Sequence, residues 1–243
     1  MRHTAYILVL LIGLTTSLLF VGPLSGRAQP VVDHELYAQL LTQHVRNGVV
    51  DYAGLKRQEA LLDRYLDQLA GVDPDGLADK ERFAFYTNAY NAWTLKLILD
   101  HYPGIQSIKD TGRLWQSPWK KKIARIDGVV ISLDNIEHDI LRPRFKDPRV
   151  HFAINCASIS CPKLRAEAYT AGKLEHQLND QAIDFINDPE RNRIDGDHIR
   201  LSKIFRWFGG DFKKNGSLID FLNRYSREKI HPAVDIVYLD YNW

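Results

Sequence analysis

Residues 123–131 read Ile-Ala-Arg-Ile-Asp-Gly-Val-Val-Ile. Two apolar runs meet at Asp127-Gly128, a pair that accepts the left-handed backbone of a tight two-residue turn, so the stretch predicts a β-hairpin. Upstream the periodicity is helical. Residues 33–46 carry Leu36, Leu40, Leu41 and Val45 on one face, and Gly48 closes the run. Residues 55–69 repeat the pattern with Leu55, Leu62, Tyr65, Leu66 and Leu69. Residues 79–101 form the longest helical run, through Phe83, Tyr86, Tyr90, Trp93 and Leu97, and Pro103 stops it.

Downstream of the hairpin, Ser132 fits as the N-cap of a helix reaching about Leu141, with Asp134 in its first turn. Residues 150–154 read as a short buried strand, and residues 155–162 as a polar turn carrying both cysteines. A helix through Leu174, Leu178, Ala182 and Phe185 follows. Asp195-Gly196 marks a second hairpin, and residues 234–241 alternate as a last strand. The aromatic block Phe205-Arg206-Trp207-Phe208 reads as core. Helices cluster early and hairpins late. That predicts an α+β fold with N-terminal helices packed on a small, mainly antiparallel sheet, rather than a doubly wound one.

The composition is that of a globular protein, 45% hydrophobic and 26% charged. Residues 1–28 are set apart. Arg2 and His3 precede a predominantly apolar run over residues 6–21, and Gly26-Arg27-Ala28 offers small residues for a signal peptidase. The run is shorter than the roughly 20 residues a spanning helix needs, so the expectation is a cleaved signal peptide and a periplasmic or secreted protein. Residues 29–243 are then read as one α+β domain with no further membrane span. Removing Arg2 and Arg27 from the 32 basic residues balances them against the 30 acidic ones. A neutral mature chain has no electrostatic footing for nucleic-acid binding.

Three segments carry a resemblance to a known family. They are Phe83-Ala-Phe-Tyr-Thr-Asn88-Ala-Tyr-Asn91-Ala, Ser132-Leu-Asp-Asn-Ile-Glu137-His138-Asp-Ile-Leu-Arg142, and Asp147-Pro-Arg149-Val-His151-Phe-Ala-Ile-Asn155-Cys156-Ala-Ser-Ile-Ser-Cys161-Pro162. The chain resembles the family called domain of unknown function 547 from about residue 33 to 241. Residues 48–52 and 207–212 fit it as well. Asn135 departs from an expected acidic residue, and Lys163 from an expected proline. The resemblance implies an exported bacterial domain and brings no settled activity and no cofactor.

The chemistry expected of the residues centres on Cys156. A reduced Cys156 with His138 as base, Asp134 one helical turn before it as orienter, and Asn155 or Asn88 as oxyanion donor makes a thiol-dependent hydrolase or acyl transferase. Asn88, Asn91, Glu137, Arg142, Arg149 and His151 are the candidate binding or orienting groups, for a small-molecule or peptide ligand the sequence does not name. For Asn88 and Asn91 the favoured role is hydrogen bonding to an adjoining loop, since most buried side-chain amides bond to backbone or water. Arg142 and Arg149 suit ion pairs with Glu137 or Asp147. Two rival readings stay open. Cys156 and Cys161 form a disulfide that staples a binding or assembly module, or His138, His151, Cys156 and Cys161 hold a metal, a weak signal because no His-x₃₋₅-His pair accompanies the cysteines.

Overall fold

A computed structural model of the chain describes residues 30–112, 117–195 and 198–243. The expected signal segment, residues 1–28, lies outside the described residues, as does Gly196 of the second hairpin. The chain order is α1 (Glu35–His44), β1 (Val45–Arg46), β2 (Val49–Val50), α2 (Tyr52–Arg57), α3 (Glu59–Ala70), α4 (Asp79–Leu99), β3 (Lys122–Ile126) and β4 (Val129–Ser132). There follow α5 (Arg142–Phe145), α6 (Val150–Ala153), α7 (Leu174–Ile186), β5 (Arg193–Asp195), β6 (His198–Leu201), α8 (Lys203–Trp207), α9 (Gly209–Phe212), α10 (Leu218–Leu222) and β7 (Asp235–Tyr238). The fold is α+β with its longest helical run at the N-terminal side, as the sequence predicts. The strands make three small sheets rather than one, and only β6 and β7 run parallel. No described helix is long and apolar enough to cross a membrane.

Helix α4 is the axis of the first half. Every side chain from Phe83 to Ala92 is buried, because α3, β3 and the segment after β4 pack around it. Each large apolar side chain so enclosed contributes roughly 2 kcal/mol. Enclosure on all sides also explains why α4 tolerates no exposed polar face in its middle. The β3–β4 hairpin turns as expected, with Asp127 at φ 47° and Gly128 at φ 70° and Ile126 facing Val129. Strands β5 and β6 pair antiparallel, Asp195 facing His198.

Beyond β4 the backbone widens into a π-helical segment, Asn135–Leu141, that runs into α5. Ser132 does cap it: its Oγ accepts the Asn135 N–H at 3.0 Å, and Asn135 Oδ1 accepts the Ser132 N–H at 3.1 Å. An amide oxygen therefore fills the place of the expected carboxylate, since the cap needs only an acceptor. The π-helical register sets Glu137 and His138 toward the interior cleft described below, in a local geometry that recurs at functional sites.

Residues 150–154 are not a strand. Val150–Ala153 is one helical turn, and only Ile154 is extended, at φ −94° and ψ 138°. Asp147 causes the difference. Its carboxylate accepts the Arg149 N–H at 2.9 Å and its carbonyl the Val150 N–H at 3.2 Å, which starts a helix. A five-residue apolar run has no periodicity that separates the two states. The turn matters for position. Val150 and Ala153 enter the core built around α4, while Phe152 enters a second core with Phe185, Phe205, Phe212 and Phe221. Helix α6 is thus shared by both cores, and the functional residues collect beside it.

Candidate functional site

Cys156 and Cys161 are joined in a disulfide that closes the loop after α6. The loop is tied from several sides. Asn155 Oδ1 accepts the Ala157 N–H at 2.8 Å, and its Nδ2 donates to the Pro162 carbonyl at 2.7 Å. Arg191 donates to the carbonyls of Cys161 and Ile159 at 2.8 and 3.1 Å. Ala157 is held at φ 56°, a left-handed conformation that costs an L-residue about 1 kcal/mol and that these bonds enforce. The Asn155 amide is therefore spent on the turn rather than free as an oxyanion donor.

Asn88 and Asn91 clamp chain segments to α4. Asn91 Nδ2 donates to the Ala153 carbonyl at 3.0 Å and its Oδ1 accepts the Asn155 N–H at 2.8 Å. Asn88 does the same at Tyr169, at 2.8 and 2.9 Å. Both amides satisfy backbone groups in the dry interior. Arg149 pairs with Asp147 and reaches Glu175 and Asn179, away from the disulfide.

The other candidates converge. Asp134, Glu137, His138, His151, Cys156 and Cys161 line one cleft of about 720 Å³, its open mouth included. Its walls are aromatic: Tyr90, Trp119, Trp207, Phe208, Tyr241 and Trp243. The aromatic block read as core divides here. Phe205 is fully buried, but Trp207 is 47% exposed and stacks with Trp243, while Phe208 lies against His151 with ring centroids 3.9 Å apart. The C-terminal residues close the wall. Ser160 N–H donates to the Asn242 carbonyl at 3.0 Å, and Asn242 N–H returns a bond to Ser160 Oγ at 2.8 Å. Tyr241 OH reaches Cys156 Sγ at 3.4 Å and Ser158 Oγ at 3.1 Å. The aromatic walls and Tyr241 escaped the sequence reading as site residues, because an aromatic side chain signals core and cleft alike.

Behind the cleft lies a buried polar chain. His151 Nε2 donates to Asp211 Oδ2 at 2.9 Å, and its Nδ1, without a hydrogen-bond partner, faces Glu137 Oε1 at 3.8 Å. Arg142 Nε donates to the same Asp211 oxygen at 2.7 Å, and Lys214 approaches its other oxygen at 3.0 Å. Asp211 is held well below the usual carboxylate range by its bonds to His151, Arg142 and Lys214. Burial pushes His151 down to about 4 and Glu137 up to about 7, so at neutral pH His151 is uncharged and Glu137 is poised between its two forms. Arg142 thus pairs with Asp211 rather than with Glu137.

His138 lies on the cleft between Asp134 and Arg142. Its Nδ1 meets the Arg142 guanidinium at 2.9 Å and its Nε2 stands 3.7 Å from Asp134 Oδ1. Arginine only donates, so Nδ1 accepts and Nε2 bears the hydrogen. Desolvation lowers the His138 pKa further. Cys156 Sγ takes its hydrogen bonds from Ser158 and Tyr241, at 3.2 and 3.4 Å, and not from His138. The four-ligand metal alternative is not assembled: the two sulfurs bond each other and His151 Nε2 is taken by Asp211. Among the described residues no group of three His, Cys, Asp or Glu side chains is arranged to hold a metal ion.

Residues 74–186 match a family model described as protein of unknown function, DUF547. The match takes in the motifs at residues 83–92, 132–142 and 147–162 and leaves out residues 48–52 and 207–212. No curated protein and no solved structure matches the chain.

Proposed function

The chain carries a DUF547 domain in residues 74–186, and on that premise we propose that the aromatic cleft is an enzyme site whose nucleophile is Cys156 in its reduced form. The reading rests on one observation: Cys156 from the loop after α6 and Asp134, Glu137 and His138 from the π-helical segment after β4 line the same cleft. The reaction class is acyl transfer, to water or to another acceptor. Cys156 Sγ attacks the acyl carbon, the leaving group departs with a proton, and the thioester is resolved by the acceptor. Glu137, poised near neutrality, is suited to take the thiol proton. His138, with its Nε2–H, is suited to donate to the departing group, and Asp134 to orient it. Reduction of the disulfide precedes this chemistry.

The rival is a binding module stapled by the same disulfide. The bond itself favours it, as do the Asn88 and Asn91 clamps, which fix the walls whether or not chemistry occurs. An activated ester separates the two. Reduced protein is mixed with p-nitrophenyl acetate and the acetylated residue is mapped by mass spectrometry. The enzyme reading expects a thioester at Cys156 that Cys156→Ser abolishes. Acetylation confined to surface lysines would leave only the module. Export accompanies either reading as a proposal, resting on the leader-like composition of residues 1–28.

A further inference from the structure

We propose that the Cys156–Cys161 disulfide is itself a reagent, exchanging with the cysteine thiol of a peptide that enters the aromatic cleft. This shares with the reading above the premise that Cys156 Sγ is the reacting atom. It differs in the bond involved, which is sulfur to sulfur.

The two sulfurs are unequal. Both line the cleft, but Cys161 is only 4% exposed while Cys156 is half-buried. An incoming thiolate therefore reaches Cys156 Sγ, and Cys161 is the sulfur that leaves. The leaving atom is provided for: the Cys156 backbone N–H points at Cys161 Sγ from 2.8 Å. A donor already aimed at a sulfur stabilises the thiolate that forms there, and a better leaving group speeds exchange. On the other side, Ser158 Oγ and Tyr241 OH sit 3.2 and 3.4 Å from Cys156 Sγ, ready to stabilise it when it leaves in its turn. The Glu137 carboxyl shares the cleft, and burial brings it near half-protonation at neutral pH. It can take the proton of the incoming thiol and return it to Cys161.

The balance closes. The peptide thiol gives its proton to Glu137, and its sulfur bonds Cys156 Sγ as the Cys156–Cys161 bond breaks. Cys161 leaves as thiolate and takes the proton from Glu137. A second thiol of the peptide, or of another molecule, then attacks the peptide sulfur and frees Cys156. The peptide is oxidised by two electrons and the protein reduced by two. A low-molecular-weight disulfide, such as oxidised glutathione, is the co-reactant that restores the pair.

The test uses the oxidised full-length mature protein and reduced glutathione, a tripeptide thiol, with acid quenching and peptide mapping. The expected result is a glutathione adduct at Cys156 and none at Cys161; in Cys161→Ser, where Cys156 is a free thiol, the probe is oxidised glutathione, and the adduct it forms at Cys156 with release of one glutathione thiol accumulates because the resolving sulfur is missing. Glu137→Gln is expected to slow adduct formation near neutral pH by roughly 100-fold and to remove an inflection near pH 7 from the rate profile. Should Cys161→Ser fail to fold, the wild-type adduct and the Glu137→Gln profile decide. Exchange no faster than in an unstructured peptide of residues 155–162, or adducts on Cys161, would overturn the proposal. Rapid glutathione exchange without acetylation of the reduced protein removes the acyl-transfer reading alone, and acetylation without exchange removes this one alone.

Discussion

His151 Nε2 and Asp211 Oδ2 are 2.9 Å apart although 60 residues separate them in sequence, and the bond fastens α6 to α9 directly behind the cleft. The imidazole is 1% exposed and neutral, because burial opposes its charge more strongly than Asp211 favours it. Asp211 keeps its own charge through Arg142 and Lys214. Glu137, across the ring, then faces a neutral nitrogen, and desolvation outweighs the charge of Arg142 in setting its behaviour.

That arrangement makes opposite contributions to stability as pH changes. His151 is shifted down from 6.5 to about 4, so its contribution is complete above pH 6.5 and disappears as pH falls through about 4. Glu137 is shifted up from 4.5 to about 7, so its contribution is complete below pH 4.5 and is lost as pH rises through about 7. Each swing is on the order of 3 kcal/mol. Glu137→Gln should accordingly gain stability relative to the native chain between pH 4.5 and 8. Thermal unfolding across that range checks it, and parallel curves for the two proteins would contradict it.

Burial holds His138 below its ordinary pKa, and the charge of Arg142, whose guanidinium donates to Nδ1, lowers it further. Arg142→Ala should raise the His138 midpoint, and Arg142→Lys should raise it less, since the charge is kept and the planar fork lost. Imidazole NMR titration reads the shift directly. An unmoved midpoint in Arg142→Ala would mean that the two side chains are not in contact in solution.

Asn91→Ala deprives the Ala153 carbonyl and the Asn155 N–H of their partner in the interior. A loss of about 2–4 kcal/mol is expected from two unsatisfied backbone groups. Because Asn155 adjoins Cys156, the same variant should also speed reduction of the disulfide. Denaturant unfolding and timed thiol alkylation give the two readings. A stability change below 1 kcal/mol would show that water replaces the clamp.

Denatured but unreduced protein should show no titratable thiol, and two after reduction. Cys156→Ser and Cys161→Ser should each destabilise by about 2 kcal/mol, the modest effect of closing a small loop. Two free thiols in protein recovered from an oxidising compartment would sink both the stapled module and the exchange chemistry.

The helical half was legible because its periodicity is long. The run from Phe83 to Leu97 is specified several times over, and Asp127-Gly128 demands its turn. Residues 150–154 were not legible, because helix and strand bury five apolar residues equally well and the deciding bond comes from the Asp147 side chain. In the site, Asp134, Glu137, His138 and the cysteines were found from residue type and spacing. Asp211 was not, since nothing local marks one carboxylate among 30 acidic residues as the partner of a histidine far upstream. Trp207 and Tyr241 were missed for another reason. An aromatic ring is assigned to core by default, and only the packing of the C-terminal residues beside Cys156 reveals the exception.

The reciprocal bonds between Ser160 and Asn242 place Asn242 and Trp243 at the rim of the hollow, with Trp243 against Trp119 and Trp207. An affinity tag or fluorescent protein fused after Trp243 would begin at that rim and crowd whatever enters. Recombinant material for the assays above is better carried on an amino-terminal handle, or recovered with a tag that a protease removes completely.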